Sequence, residues 1–132
     1  MRTVAAFTDT YLPTVNGVSY TARTWRRHWQ RSRGRMPLVY PEDDGYCPGA
    51  GEHPVVSVPF PFYRGFRFAR PSVPRAVRET RPDIVHTHTP FTLGLAGKRF
   101  AGAIDAPIVA SYHTPAGEYA DYISNAFAEA IR

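Results

Sequence analysis

TVAAFTDTYLPTVNGVSYTARTWRRHWQRSR, residues 3–33, is the stretch whose reading decides the fold. Its opening run, Thr3 to Phe7, is apolar and stops at the polar Thr8, Asp9 and Thr10, the pattern of a buried central strand. A turn containing Pro13 and Asn16-Gly17 follows. Beyond it Val18, Ala22, Trp25 and Trp29 recur at i, i+4, i+7 and i+11, one stripe of an amphipathic helix, with Arg23, Arg26, Arg27 and Arg31 expected on the other side. Gly34 is expected to end that helix in the left-handed cap conformation.

Working outward, Met36 to Tyr40 reads as a second strand, and the Pro-, Gly- and acid-rich residues Pro41 to Pro54 read as a loop. Val55 to Val58 suggests a short strand before the aromatic and basic segment PFPFYRGFRFARP, residues 59–71. Ser72 is placed to cap a helix running to about Thr80, and Arg81-Pro82 forces a break before a strand from Asp83 to His88. Phe91 to Ala103 is helical by pattern, Pro107 to Tyr112 is an apolar strand, and Glu118 to Arg132 is helical. Strands alternating with helices of this length predict an α/β fold, a Rossmann-like parallel sheet with helices on both faces. In such sheets ligands bind outside the carboxyl ends of the strands. Asp9 and Thr10 after the first strand, His86 and His88 at the end of a later one, and His113 at the end of the last therefore gather on one edge.

The 132 residues allow one domain and no second core. No run approaches the ~18 apolar residues of a membrane-spanning helix, and the N-terminus lacks the apolar stretch of a signal peptide, so a cytoplasmic location is expected. Cys47 has no partner for a disulfide or a metal cluster. A net charge of +5, carried almost wholly by arginine, favours anionic partners without choosing among phosphates, acidic lipid and nucleic acid.

Gly17 stands at the start of the first helix, where free backbone N–H groups and the positive end of the helix dipole favour an anion; Asn16-Gly17 is weaker than a G-x-G-x-x-G fingerprint, and a glycine needed only for the turn is an equal alternative. His86 and His88, two apart on a strand, point to one side, but no further ligand set supports a metal. His113, followed by Thr114-Pro115, suits polar chemistry; spacing alone favours a buried, hydrogen-bonded histidine over that reading. Serine nucleophile elbows, Walker loops and usefully paired carboxylates are missing.

FTDTYLPTVNGVSYTART, PDIVHTHTPFTLGLAGKRFA and PIVASYHTPAGEYADYI, in that order, resemble the N-terminal domain of family 4 GT-B glycosyltransferases, nearest to the diacylglycerol glucosyltransferases, sulfoquinovosyl-diacylglycerol synthases and phosphatidylinositol mannosyltransferases. The resemblance implies that residues 1–132 are an acceptor-side domain, cut short, whose C-terminal donor-binding domain is absent. It implies a retaining transfer of a sugar from a nucleotide-sugar donor to an acceptor, a membrane glycerolipid or phospholipid, at an anionic membrane surface, with no metal or other cofactor and no nucleic acid. Gly17 and Asn16 would meet the donor phosphates and His113 would be catalytic. Asp9, Thr10, Arg67, His86, His88, Thr114 and Tyr119 would line the acceptor site. Arg64, Arg67 and Arg70, interleaved with Tyr63, Phe66 and Phe68, would form a membrane-facing rim. The other reading of the same resemblance is a truncated binding module without catalysis; on either, the isolated chain is expected to transfer no sugar.

Overall fold

The computed structural model describes residues 2–13, 17–32, 34–59, 67–89 and 91–111. Strand β1 (Arg2–Phe7) is the sheet's centre, as its apolar run predicts, and helix α1 (Gly17–Ser32) follows it. Then come β2 (Gly34–Arg35), β3 (Leu38–Pro41) and β4 (Glu52–Val55), the separate pair β5 (Ser57–Pro59) and β6 (Arg67–Ala69), and α2 (Arg75–Glu79). β7 (Ile84–Thr87), α3 (Thr92–Ile104) and β8 (Ile108–Ala110) complete the described elements. The main sheet runs β4-β3-β1-β7-β8, with β2 also pairing β1, and every pairing in it is parallel. β5 and β6 form a small antiparallel ribbon.

The fold is the expected Rossmann-like α/β sheet, and its pleat sorts the core into two layers. Val4 and Ala6 of β1 face α1 with Leu38, Tyr40 and Ala22, whereas Ala5 and Phe7 face α3 with Val39, Val85, Leu93 and Phe100. α3 lies unusually close to the strands. A Cβ added at Gly97 would sit 2.8 Å from the Phe7 ring, and one at Gly94 would sit 1.7 Å from the Thr89 carbonyl oxygen. Only hydrogen at these two positions admits this approach.

Several local expectations shift. The buried face of α1 turns away from Trp25, which is 40% exposed, and towards Arg26, which is 8% exposed. Arg26 is buried because its guanidinium finds carbonyls: Nε donates to Met36 O at 3.0 Å and Nη2 donates to Ala50 O. The second strand predicted from Met36 to Tyr40 starts later, as β3 at Leu38, because Pro37 has no N–H for the ladder, and the short β2 before Met36 is unexpected. Gly34 belongs to β2, with φ +149°, and a Cβ there would lie 2.1 Å from Arg2 O; close strand approach, not a helix cap, requires the glycine. The loop expected to Pro54 ends earlier, at β4, because β4 is an edge strand and tolerates a proline. α2 begins after Pro74, which needs no hydrogen bond at a helix start, while Ser72 Oγ instead donates to Arg70 O. The helix expected from Glu118 to Arg132 lies outside the described residues, as do Asn16, Tyr63, Arg64, Phe66, Tyr112, His113, Thr114 and Tyr119.

Candidate active site

The strand order changes direction between β1 and β7: from β1 the chain moves to β3 and β4 on one side, then to β7 and β8 on the other. At such a switch point the loops leaving adjacent strands diverge and open a crevice at their carboxyl ends. Thr8, Asp9 and Thr10 leave β1 there, His88 and Thr89 leave β7, and Ser111 leaves β8.

Asp9 is the anchor of this edge. It is 1% exposed, yet its carboxylate is saturated by donors. Oδ2 accepts from Thr89 Oγ1 at 2.6 Å, Phe91 N at 3.1 Å and Gly94 N at 3.3 Å, and Oδ1 accepts from Leu93 N at 2.7 Å and Thr92 Oγ1 at 2.8 Å. Its own N–H donates to Thr89 Oγ1 at 2.8 Å. Apart from Thr89, these donors are the N-cap residue and first turn of α3, and the N-cap residue, Phe91, offers no side-chain cap. A carboxylate from β1 therefore caps a helix more than 80 residues away, satisfying its free N–H groups and meeting the positive end of its dipole. Thr10 is likewise 1% exposed and receives the Thr8 hydroxyl on its carbonyl at 2.8 Å, so the exit from β1 is held rigid.

His86 and His88 share one side of β7, as their spacing predicts. Their rings stack at 4.3 Å between centroids, and Trp25 of α1 lies against both, at 5.3 Å from His86 and 5.4 Å from His88. His86 Nε2 and Ser111 Oγ are 2.9 Å apart, a hydrogen bond that ties the ends of β7 and β8. The half-exposed Trp25 was read from its spacing as a core residue; no periodicity rule distinguishes a stripe residue that packs on a sheet from one that leans over the sheet's end. Ser111 stands inside the PIVASYHTPAGEYADYI block, where the sequence pattern gives it no role of its own.

Gly17 is the first residue of α1, exposed, and a Cβ added there would meet nothing within 4 Å among the described residues. Packing among the described residues does not demand a glycine at this position. Arg67 lies apart from the switch point, on β6. Its Nε donates to Ser57 Oγ at 2.8 Å, and Nη1 is 3.6 Å from Asp43 Oδ2.

Beneath α1 a polar cluster joins the β1 exit to the far edge of the sheet. Glu52 accepts from the Tyr11 hydroxyl and from the Tyr46 hydroxyl, both at 2.6 Å, and from Gly49 N at 2.8 Å. Burial pushes its carboxyl up, but these three donors and the Arg26 charge outweigh that and hold it below the ordinary glutamate value. Burial and the Glu52 carboxylate push the Tyr46 phenol up to about 12 and the Tyr11 phenol higher still. Burial, then the charge of Arg26, pushes the His53 imidazole down.

Among the described residues no group of three histidine, cysteine or acidic side chains is placed to hold a metal, and no helix is long and apolar enough to cross a membrane. A cleft of about 370 Å³ lies along the C-terminal half of α3, lined by Val73, Arg78, Arg99, Phe100 and Ala103 among others, and shares no residue with the switch-point site.

Comparison with known proteins gives this geometry a context. Residues 15–132 match the profile of Glycosyltransferase Family 4. The chain is 31% identical over 127 residues to an alpha-monoglucosyldiacylglycerol synthase of Streptococcus pneumoniae, an alignment spanning 92% of this chain and 29% of that protein. It is 32% identical over 120 residues to a GDP-mannose-dependent alpha-mannosyltransferase of Corynebacterium glutamicum, spanning 84% of this chain and 29% of the relative. A GDP-mannose-dependent alpha-mannosyltransferase of Mycobacterium tuberculosis is 30% identical, with 84% and 32% covered. The chain thus spans about a third of the length of these relatives.

Proposed function

Because the chain belongs to glycosyltransferase family 4, we propose that it forms the acceptor-side part of a retaining glycosyltransferase that moves a sugar from a nucleotide-sugar donor to a membrane glycerolipid or phospholipid. The observation that carries the reading is the convergence, at the β1/β7 switch point of a family 4 chain, of the β1 exit, the His86–His88 pair and the Ser111 end of β8. The lipid acceptor is supported by the likeness to the pneumococcal alpha-monoglucosyldiacylglycerol synthase, and a nucleotide-sugar donor by the likeness to the GDP-mannose-dependent relatives.

On this reading the leaving diphosphate approaches the N-terminal end of α1, where a helix start offers free backbone N–H groups and Gly17 carries no side chain. The room around Gly17 among the described residues supports that role. His113 orients and polarises groups at the transferred sugar. His86, His88, Thr10, Thr114 and Tyr119 line the acceptor side. Asp9 acts on this site by positioning it, since both carboxylate oxygens are already engaged with α3. Arg67 would meet an acceptor phosphate by exchanging its 3.6 Å contact with Asp43 for the phosphate. A lipid acceptor would hold the protein at the cytoplasmic membrane surface as a peripheral protein, and residues 1–132, which span about a third of the length of the relatives, would transfer no sugar by themselves.

The test uses the full-length protein that carries this sequence. His113→Ala is expected to lower kcat by roughly 100-fold or more, the range for losing one well-placed polar group from an active site, with the melting temperature unchanged. A destabilised variant whose folded fraction turns over at the normal rate refutes the catalytic role. Turnover of GDP-mannose by purified residues 1–132 refutes the division of labour.

A further inference from the structure

We propose that Glu52 is a positioning residue for the phosphate-approach loop: it holds Tyr11, and through Tyr11 the segment that leads to Gly17, from the opposite edge of the sheet. The inference rests on the reading that Gly17 meets the donor diphosphate. Residues 8–13 are the described part of the connection between β1 and α1, and they are pinned at three points. Thr8 N donates to Val39 O at 3.0 Å, Asp9 is bolted to α3, and the Tyr11 hydroxyl donates to Glu52 Oε2 at 2.6 Å. Among the described residues the third tie is the last before Gly17.

The form of the tie argues for more than packing. Tyr11 is 5% exposed, and its ring lies 4.9 Å from Tyr40 and 5.8 Å from Tyr46, so aromatic contacts alone would bury it. What they leave free is how far the loop slides over the ring faces. A phenol donating to a carboxylate at this distance is a short charge-assisted bond with a defined direction, and it removes that freedom. Glu52 is itself fixed: its second oxygen takes the Tyr46 hydroxyl at 2.6 Å and Gly49 N at 2.8 Å, and it opens β4, which pairs with β3 at Leu38. The 43–52 segment touches the loop again, since a Cβ at Gly45 would lie 3.1 Å from Pro13 Cγ. An amide at position 52 would offer one acceptor oxygen where two phenols and an N–H converge, and would turn donors towards donors.

Glu52→Gln, Tyr11→Phe, the double variant and Gly17→Val are prepared in the full-length protein, and GDP and UDP are titrated calorimetrically, with melting curves in parallel. Tyr11→Phe keeps the ring and its packing, so a folded protein is available even if Glu52→Gln folds poorly. Each single variant is expected to bind the nucleoside diphosphate that the wild type prefers about 5- to 10-fold more weakly. The double variant is expected to bind no more weakly than the weaker single one, because both remove one tie. A merely structural Glu52 lowers the melting temperature and leaves the dissociation constant of the folded protein within two-fold, which overturns the inference; so does a double variant whose loss is the product of the two. If Gly17→Val binds like the wild type, the placement of the diphosphate fails, a result distinct from weakened binding by Gly17→Val with normal binding by Glu52→Gln and Tyr11→Phe.

Discussion

Replacing Asp9 by alanine removes one carboxylate and leaves the first turn of α3 without its cap. The structure sets the size of the effect. Leu93 N and Gly94 N are buried donors with Asp9 as their acceptor, and Thr89 Oγ1, 0% exposed, loses the partner to which it donates. A buried donor left unsatisfied costs about 1–3 kcal/mol, so two to three of them cost about 2–9 kcal/mol, with about 5 kcal/mol in the middle of that range. A loss of that size takes much of the stability of a domain of ordinary stability, about 5–15 kcal/mol. With an m-value of about 2 kcal/mol/M the urea midpoint should fall by roughly 2.5 M. Trp25 and Trp29, both on α1, report the transition by fluorescence. Asp9→Asn should recover only part of the loss, since its NH2 faces donors on one side, and Thr92→Val should cost about 1 kcal/mol for a single half-buried hydroxyl. An Asp9→Ala midpoint within about 0.3 M of wild type would refute the capping argument, and with an increased acceptor KM it would return Asp9 to direct contact with the acceptor.

The glycines of α3 should separate by environment. Gly94→Ala and Gly97→Ala should each destabilise by about 1–3 kcal/mol or more through forced backbone and ring displacement, whereas Gly102→Ala, which meets nothing within 4 Å, should stabilise by about 0.5–1 kcal/mol; equal effects at the three positions in urea titrations contradict the packing described. The Glu52 cluster should limit stability at both ends of the pH range. Glu52, held below its unfolded value, contributes stability that is complete above about pH 4.3 and lost as pH falls through its lower folded value. Tyr46, raised to about 12, contributes stability that is complete below the unfolded tyrosine value near 10 and lost as pH rises from there through 12. Urea midpoints recorded against pH should therefore show an acid limb that flattens in Glu52→Gln; an unchanged limb assigns it to other carboxylates.

The parallel sheet and most of its elements were legible because period and punctuation report them directly: the Thr3 to Phe7 run is β1, and Phe91 to Ala103 is α3 displaced by one residue at each end. What escaped was set by distant partners. The rotation of α1 depends on two carbonyls, of Met36 and Ala50, that turn an arginine inward. A pattern that scores arginine as polar places Arg26 outside. The start of β4 was hidden by Pro54, which argues against a strand unless the strand is known to be an edge. In the site, the convergence of Thr10, His86 and His88 followed from the rule that ligands gather at strand ends. The work done by Asp9 did not, because capping rules look one residue ahead of a helix and this cap comes from β1.

The same long reach of Asp9 bears on how the chain is made. Its partner Gly94 is 85 residues downstream, so at a synthesis rate of about 5–20 residues per second some 4–17 s pass between the two leaving the ribosome's catalytic centre. During that time β1 has its later partners β2 and β3 but not β7, which covers its other edge. The nascent N-terminal part therefore presents an apolar strand with an open hydrogen-bonding edge until β7 pairs with it, and the capped helix that covers the Ala5 and Phe7 face follows β7. Chaperone binding to the nascent chain is expected to begin with Thr3 to Phe7 and to end once α3 has docked, which makes Gly94 and Gly97 points of control over yield as well as over stability.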